Sequence, residues 1–126
     1  MAARILVVDD NPTNLKLACD VLEMDGFEVK RAMNAEEAVA VINQIQLDLI
    51  LMDIELPGTD GLTLTRMLKA DKSTKHIPIV AMTAFAMKGD DQKALQAGCE
   101  GYITKPIDTR KFPQQVAQFL ERSTNE

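Results

Sequence analysis

The chain has 126 residues, of which 46% are hydrophobic and 26% are charged, a composition typical of a folded globular domain. We expect a single domain over residues 1–126, because this length supports one hydrophobic core. The net charge of −5 argues against direct binding to nucleic acids, which relies on clustered Lys and Arg. The apolar runs are too short for a secretory signal or a membrane span, which predicts a cytoplasmic protein with no membrane partner.

Short apolar runs alternate with longer segments of helical periodicity, a pattern typical of repeated βα units that build a parallel sheet with helices on both faces. The five predicted strands are Arg4–Asp9, Glu28–Arg31, Asp48–Met52, Pro78–Met82 and Gly101–Thr104. The five predicted helices run from Pro12 to just before Gly26 and over Ala35–Gln44, Gly61–Ala70, Gly89–Ala97 and Asp108–Arg122. Pro113 would remove a backbone hydrogen bond inside the last helix, so we expect that helix to start after Asp108 or to bend.

Polar residues end or follow the predicted strands: Asp9 ends the first and Asp10 follows it, Asp53 follows the third, Thr83 the fourth and Lys105 the fifth. The carboxyl ends of parallel strands share one edge of the sheet, where ligands of such folds bind. Two carboxylates ~4 Å apart repel each other by ~4 kcal/mol at an effective dielectric of ~20, so the three acids need a cation. We predict Mg²⁺ here, held mainly by Asp10 and Asp53, with Asp9 acting through bound water.

An Asp carboxylate can attack phosphorus and form an aspartyl phosphate, and Asp53 is the candidate nucleophile. Phosphoryl transfer depends mostly on positioning and on positive charge near the transferred oxygens. Besides Mg²⁺, Lys105 would supply a second cation and Thr83 a hydroxyl donor. The predicted set is therefore complete for attack by Asp53 on a phosphoryl group.

Four motifs in order, ILVVDDN, LDLILMDIELPGTDGL, PIVAMTA and GYITKPI, resemble the receiver domain of two-component response regulators over essentially the whole chain. The stretches HIPIVAMTAFAMKGD and GCEGYITKPI further resemble single-domain members that act in the cell cycle. The resemblance implies an α/β fold of the flavodoxin-like, doubly wound type, an open five-stranded parallel sheet in the order 2-1-3-4-5 with five helices. It also implies a signalling switch in a phosphorelay, not an enzyme, whose chemistry is limited to its own phosphorylation and dephosphorylation.

The resemblance assigns roles to single positions. It makes Asp53 the phosphoacceptor for a sensor histidine kinase or phosphotransfer protein, and Asp9 and Asp10 the acidic pair that binds magnesium. The main-chain carbonyl of Glu55 becomes a further metal ligand and Lys105 a contact of the phosphoryl group, with the bond to the following proline cis in most members.

The resemblance also implies a conformational switch that an effector protein reads. Thr83 corresponds to the switch hydroxyl and Tyr102 to the switch aromatic residue. We expect a monomer or a weak dimer linked to phosphorylation. The family binds partners mostly through the face made by helix four, strand five and helix five, which here includes Ala86, Met87, Gly101, Tyr102 and Phe112.

The resemblance places Glu55 and Phe85 beside the water that hydrolyses the phosphoryl group in the family. The bulky Phe85 would obstruct that water, which predicts slow dephosphorylation, while the effect of the Glu55 charge stays open. Three other residues have simpler interpretations. Cys19 and Cys99 lack metal-ligand spacing and are expected to be buried apolar residues, and His76 is expected to be exposed.

Three other classes of protein share parts of this pattern. An FMN-binding flavodoxin-like carrier would need a Ser/Thr-rich or Gly-rich phosphate loop, whereas Asp9, Asp10 and Asn11 would repel a phosphate in the absence of a metal. A dehalogenase-like phosphatase would need a second Asp two residues after Asp53, where this chain has Glu55. A receiver domain excised from a hybrid kinase or a larger response regulator remains open.

Overall fold

Alternating strands and helices form because apolar strand residues are followed each time by an amphipathic helical segment. The computed structural model describes residues 3–54, 61–83, 90–104 and 107–124. The elements in chain order are β1 (Arg4–Val8), α1 (Pro12–Met24), β2 (Glu28–Ala32), α2 (Ala35–Gln44), β3 (Leu49–Asp53), α3 (Gly61–Ala70), β4 (Ile79–Thr83), α4 (Asp90–Ala97), β5 (Gly101–Thr104) and α5 (Phe112–Thr124).

The strands form one parallel sheet in the order β2-β1-β3-β4-β5, as predicted. Because all five strands run in the same direction, their carboxyl ends meet at one edge. The register pairs Val8 with Met52, and Asp53 with Met82, so the residues that follow β1 and end β3 and β4 are neighbours. This arrangement confirms the predicted doubly wound fold.

The core lies on both faces of the sheet. The three central strands are buried along nearly their whole length, as expected for strands covered by helices on both sides. Alternate strand residues divide between two apolar layers. One layer packs β1, β3 and β4 against α2, α3 and α4, and the other packs the opposite faces of these strands and β5 against α1 and α5.

The chain after β1 is held by a helix cap. The side chain of Asn11 accepts hydrogen bonds from the backbone N–H groups of Thr13 (2.9 Å) and Asn14 (3.1 Å), and Pro12 occupies the first turn, where its missing N–H removes no helical bond. The helix is followed by Gly26, whose φ of +94° is a left-handed conformation that favours glycine. The cap therefore fixes where the acidic pair before it can lie.

Several predicted bounds shift by one residue, and one helix starts later. β1 ends at Val8, while Asp53 and Thr83 are the last residues of their strands rather than the first loop residues. The helix α5 begins at Phe112, so Pro113 lies in its first turn and costs no intrahelical hydrogen bond. Within the described ranges, no helix is both long and apolar enough to cross a membrane.

Candidate functional site

Three acidic side chains converge at the carboxyl edge of the sheet. Asp9, Asp10 and Asp53 each place one carboxylate oxygen so that all three atoms lie within 4.8 Å of one another. Asp9 and Asp53 are each only 2% exposed, whereas Asp10 is exposed. The cluster forms because β1 and β3 are adjacent parallel strands. The sequence-based prediction that these three acids meet is thus realised in the fold.

The cluster suits a hard cation. Two unit charges ~4 Å apart repel by ~4 kcal/mol at an effective dielectric of ~20, so a set of three acids is stabilised by a divalent ion. Carboxylate oxygens are the ligands that Mg²⁺ prefers, and the exposed side of Asp10 leaves room for the waters that Mg²⁺ retains. The set is held in place by the backbone: the N–H of Asn11 donates to Asp9 Oδ1 at 2.9 Å, and the N–H of Asp9 donates to the Ala32 carbonyl at 3.0 Å.

Thr83 lies at the same edge. It ends β4, is 1% exposed, and directly follows Met82, the residue that pairs with Asp53. Pairing between the two strands continues one step further, because the N–H of Ile54 donates to the Met82 carbonyl at 3.2 Å. Thr83 is in turn paired with Thr104, the last residue of β5. The hydroxyl-bearing residue is therefore fixed between the acid cluster and the end of β5.

The structure brings a further residue to the site that sequence reasoning missed. Gly61, the first residue of α3, packs directly on the backbone of Asp53 and Ile54. A Cβ atom at Gly61 would lie 2.7 Å from the Cα of Ile54 and 2.9 Å from the carbonyl carbon of Asp53. No side chain fits there. In the sequence, Gly61 stands at the start of an apolar helical segment. Helical periodicity indicates there only that a helix begins.

The predicted switch and partner residues occupy different environments. Tyr102 is 41% exposed on β5, and Leu95 on the preceding helix is 52% exposed, so both are accessible. Gly101 is half-buried, and a Cβ atom there would lie 2.6 Å from the ring of Phe119. Phe112 corrects the predicted face: its side chain is 0% exposed and packs in the core, because it begins α5 on the side facing the sheet.

The remaining predictions divide into those on described residues and those outside them. The structure buries both cysteines, whose pKa values burial raises to about 11, and exposes His76, as expected. The other predicted residues lie outside the described residues: Glu55, Phe85, Ala86, Met87, Lys105 and Pro106.

Comparison with known proteins identifies the family. Residues 5–117 match the response regulator receiver domain, and the chain belongs to this family. It is 44% identical to the polar-differentiation response regulator DivK of Brucella anthropi over 95% of this chain and 98% of that protein. DivK is a single-domain relative of the type that the motifs after residue 75 predicted.

Solved structures agree with this assignment. A CheY-like receiver domain protein from Methanospirillum hungatei superposes with a TM-score of 0.88 at 31% identity, over 99% of this chain and 98% of that one. NtrX from Brucella abortus superposes with a TM-score of 0.91 at 32% identity, over 98% of this chain but only 28% of NtrX. The chain is thus a receiver domain of two-component signalling, a switch that interacts with kinases and effectors, and the flavodoxin alternative is not favoured.

Proposed function

We propose that this receiver domain accepts a phosphoryl group on Asp53 from a sensor histidine kinase or a phosphotransfer protein. The observation that carries the proposal is the convergence of three acidic oxygens within 4.8 Å around Asp53, at the edge where the strands end. Asp53 is 2% exposed and ends a fully buried strand, so packing holds its carboxylate at a defined position. A donor has to bring its phosphoryl group to this edge.

The chemistry follows from the residues at the edge. A carboxylate oxygen of Asp53 forms the new P–O bond, while the P–N bond of the donor phosphohistidine breaks and its electron pair stays on the imidazole nitrogen. Asp9, Asp10 and Asp53 would hold Mg²⁺, with the main-chain carbonyl of Glu55 as a further ligand. When bound, this ion would supply positive charge for the phosphoryl oxygens. Lys105 would neutralise the remaining charge.

Thr83 and Tyr102 are proposed to convert phosphorylation into a change of surface. Thr83 is buried at the end of β4, and its hydroxyl would donate to a phosphoryl oxygen on Asp53. Tyr102 is 41% exposed and pairs in the sheet with Ala81, two residues before Thr83. A move of Thr83 would open space into which Tyr102 rotates. Such contacts commonly bias a two-state equilibrium by ~1–3 kcal/mol, so the switch shifts a population.

The proposed partner surface is the α4-β5-α5 face. Gly101 and Tyr102 are its members among the described residues, whereas Ala86 and Met87 lie outside them and stay predictions. An effector protein would read this face, and phosphorylation would favour a weak dimer or leave the chain monomeric.

We propose that the protein acts in the cytoplasm, as is typical of the family, with no chemistry beyond its own phosphorylation and dephosphorylation. Phe85→Ala is expected to shorten the phosphorylated lifetime several-fold.

We further propose that residues 1–126 work as a stand-alone receiver. The match to DivK extends over 98% of that protein, which supports this choice. The match to only 28% of NtrX shows that the same fold also occurs within longer chains, so a receiver belonging to a larger regulator or hybrid kinase is the second candidate. Both candidates share the phosphorylation chemistry and differ only in what reads it.

Intact-mass spectrometry tests the proposal. The chain is incubated with a small-molecule phosphoryl donor with and without Mg²⁺, next to Asp53→Asn. We expect one phosphoryl adduct that needs Mg²⁺, survives acid, is lost in base and is absent from Asp53→Asn. An adduct that forms equally on Asp53→Asn would exclude Asp53 as the acceptor, and no adduct with any donor would indicate a receiver that works without phosphorylation.

A further inference from the structure

The first turn of α3 is built against the backbone that carries Asp53. Gly61 approaches this backbone so closely that a Cβ atom would lie 2.7 Å from Ile54 Cα and 2.9 Å from the Asp53 carbonyl carbon. In proteins, a Cβ atom essentially never comes closer than 3.0 Å to a heavy atom outside its own residue and its chain neighbours. The distance between the Asp53 backbone and the start of α3 is therefore set by the position of Gly61.

Gly61 is itself held by a buried side chain. Thr65, one helical turn later, is 0% exposed, and its hydroxyl donates to the Gly61 carbonyl at 2.7 Å. A threonine that bonds back to the preceding turn usually gives a helix little and can bend it. Burial of such a polar group at the start of this helix indicates a local role rather than a general gain in helix stability.

The Thr65 hydroxyl has a buried neighbour in the turn before β5. That neighbour is Cys99, which is 5% exposed; burial raises the pKa of its thiol to about 11, and the Thr65 hydroxyl partly opposes this rise. Cys99 is anchored too, because its N–H donates to the Ala94 carbonyl at 3.0 Å.

We propose that Thr65 is a positioning residue for phosphoryl transfer to Asp53, acting through the Gly61 carbonyl. The Thr65 hydroxyl holds the Gly61 carbonyl, and Gly61 sets the backbone of Asp53 and Ile54. A nucleophile has to be held to within ~0.5 Å of its productive place, which requires groups behind it whose own positions are locked by packing and hydrogen bonds. The inference rests on the proposed phosphorylation of Asp53.

The chain offers a matched control at the other end of the same helix. Thr74 is also buried, at 7% exposed, and its hydroxyl donates at 2.6 Å to the carbonyl of Leu68 in the last turn of α3. Thr65→Val and Thr74→Val each replace a buried hydroxyl by a methyl group of similar size and remove one bond to a carbonyl of α3. Only the first of these carbonyls belongs to the residue that contacts Asp53.

The experiment measures the rate of phosphorylation at saturating Mg²⁺ and acetyl phosphate by intact mass, with urea unfolding in parallel. Thr65→Val should slow phosphorylation by about fivefold to tenfold, less than the ~100-fold that a misplacement of 1 Å can cost. Thr74→Val should shift the unfolding midpoint by a similar amount and keep the wild-type rate. Thr65→Ser retains the hydroxyl and should restore most of the rate. Thr65→Ala, which adds no atoms to the core, should reproduce the slowing if Val is not accommodated.

The outcomes separate the two proposals. Wild-type rates in both Thr65→Val and Thr65→Ala would overturn the role of Thr65 and leave the phosphorylation of Asp53 intact. Equal slowing in Thr65→Val and Thr74→Val would also overturn it, because the effect would then follow helix stability. A wild-type chain that forms no adduct would overturn the proposed function, and this inference with it.

Discussion

Replacement of Gly61 by alanine is the sharpest perturbation that the structure offers. The added Cβ would clash most closely with the Asp53 carbonyl oxygen and would lie 2.7 Å from Ile54 Cα, where an ordinary contact needs at least 3.4 Å, so the α3 start and the Asp53 backbone must separate by at least about 0.7 Å. A misplacement of ~1 Å at a reacting group can cost ~100-fold in rate. We therefore expect phosphorylation of Asp53 to slow by roughly 10-fold to 100-fold.

The stability of Gly61→Ala should change far less than its reactivity. Overpacking a tight contact costs about 1–3 kcal/mol, and alanine in place of glycine in a helix returns about 0.5–1 kcal/mol. The net loss in the free energy of unfolding should thus be about 0–2.5 kcal/mol. A variant that stays folded and reacts slowly would show that the contact sets geometry rather than folding.

A matched glycine provides the control. Gly26, at the opposite edge of the sheet, has a φ of +94°, and a Cβ atom added there would meet nothing within 4 Å, so Gly26→Ala introduces backbone strain without a clash. It should cost about 1–2 kcal/mol of stability and leave the phosphorylation rate unchanged. The assay is the time course of the phosphoryl adduct at saturating Mg²⁺ and donor. A Gly61→Ala variant that reacts as fast as Gly26→Ala would refute the positional reasoning.

Three further predictions follow from the site and the core. Asp10→Asn removes one of three clustered charges, so it should raise the thermal midpoint without Mg²⁺ and weaken Mg²⁺ binding about tenfold, as measured by calorimetric titration. Tyr102 is the sole tyrosine in a chain without tryptophan, so its fluorescence should change on phosphorylation, and Thr83→Ala should abolish that change while the adduct still forms. The thiols of Cys19 and Cys99 have pKa values raised from 9.0 to about 11 in the folded chain, so their contribution to stability is present below pH 9 and lost as the pH rises through 11. Urea unfolding should show this loss, and it should be smaller in a Cys19→Ala/Cys99→Ala double variant.

Much of the site could be predicted because the topology of a parallel sheet determines which residues lie at its carboxyl edge. Every strand runs in the same direction, so the residues that end or follow the strands share one edge whatever the details of packing. Asp9, Asp10 and Asp53 could be placed together on that ground alone. The observed ends of β3 and β4 lie one residue later than predicted. Asp53 and Thr83 still pair with the neighbouring strands, and an apolar pattern does not reveal such pairing.

The sequence by itself determined the order of strands and helices, the acidic edge and the family, because these depend on local periodicity and on motifs in a fixed order. Only the tertiary structure decided that Phe112 belongs to the core, that Gly61 contacts the Asp53 backbone, and that Thr65 lies near Cys99. Periodicity shows which face of an element is apolar. It does not show how closely two backbones approach, which depends on the packing of elements that are distant in the chain.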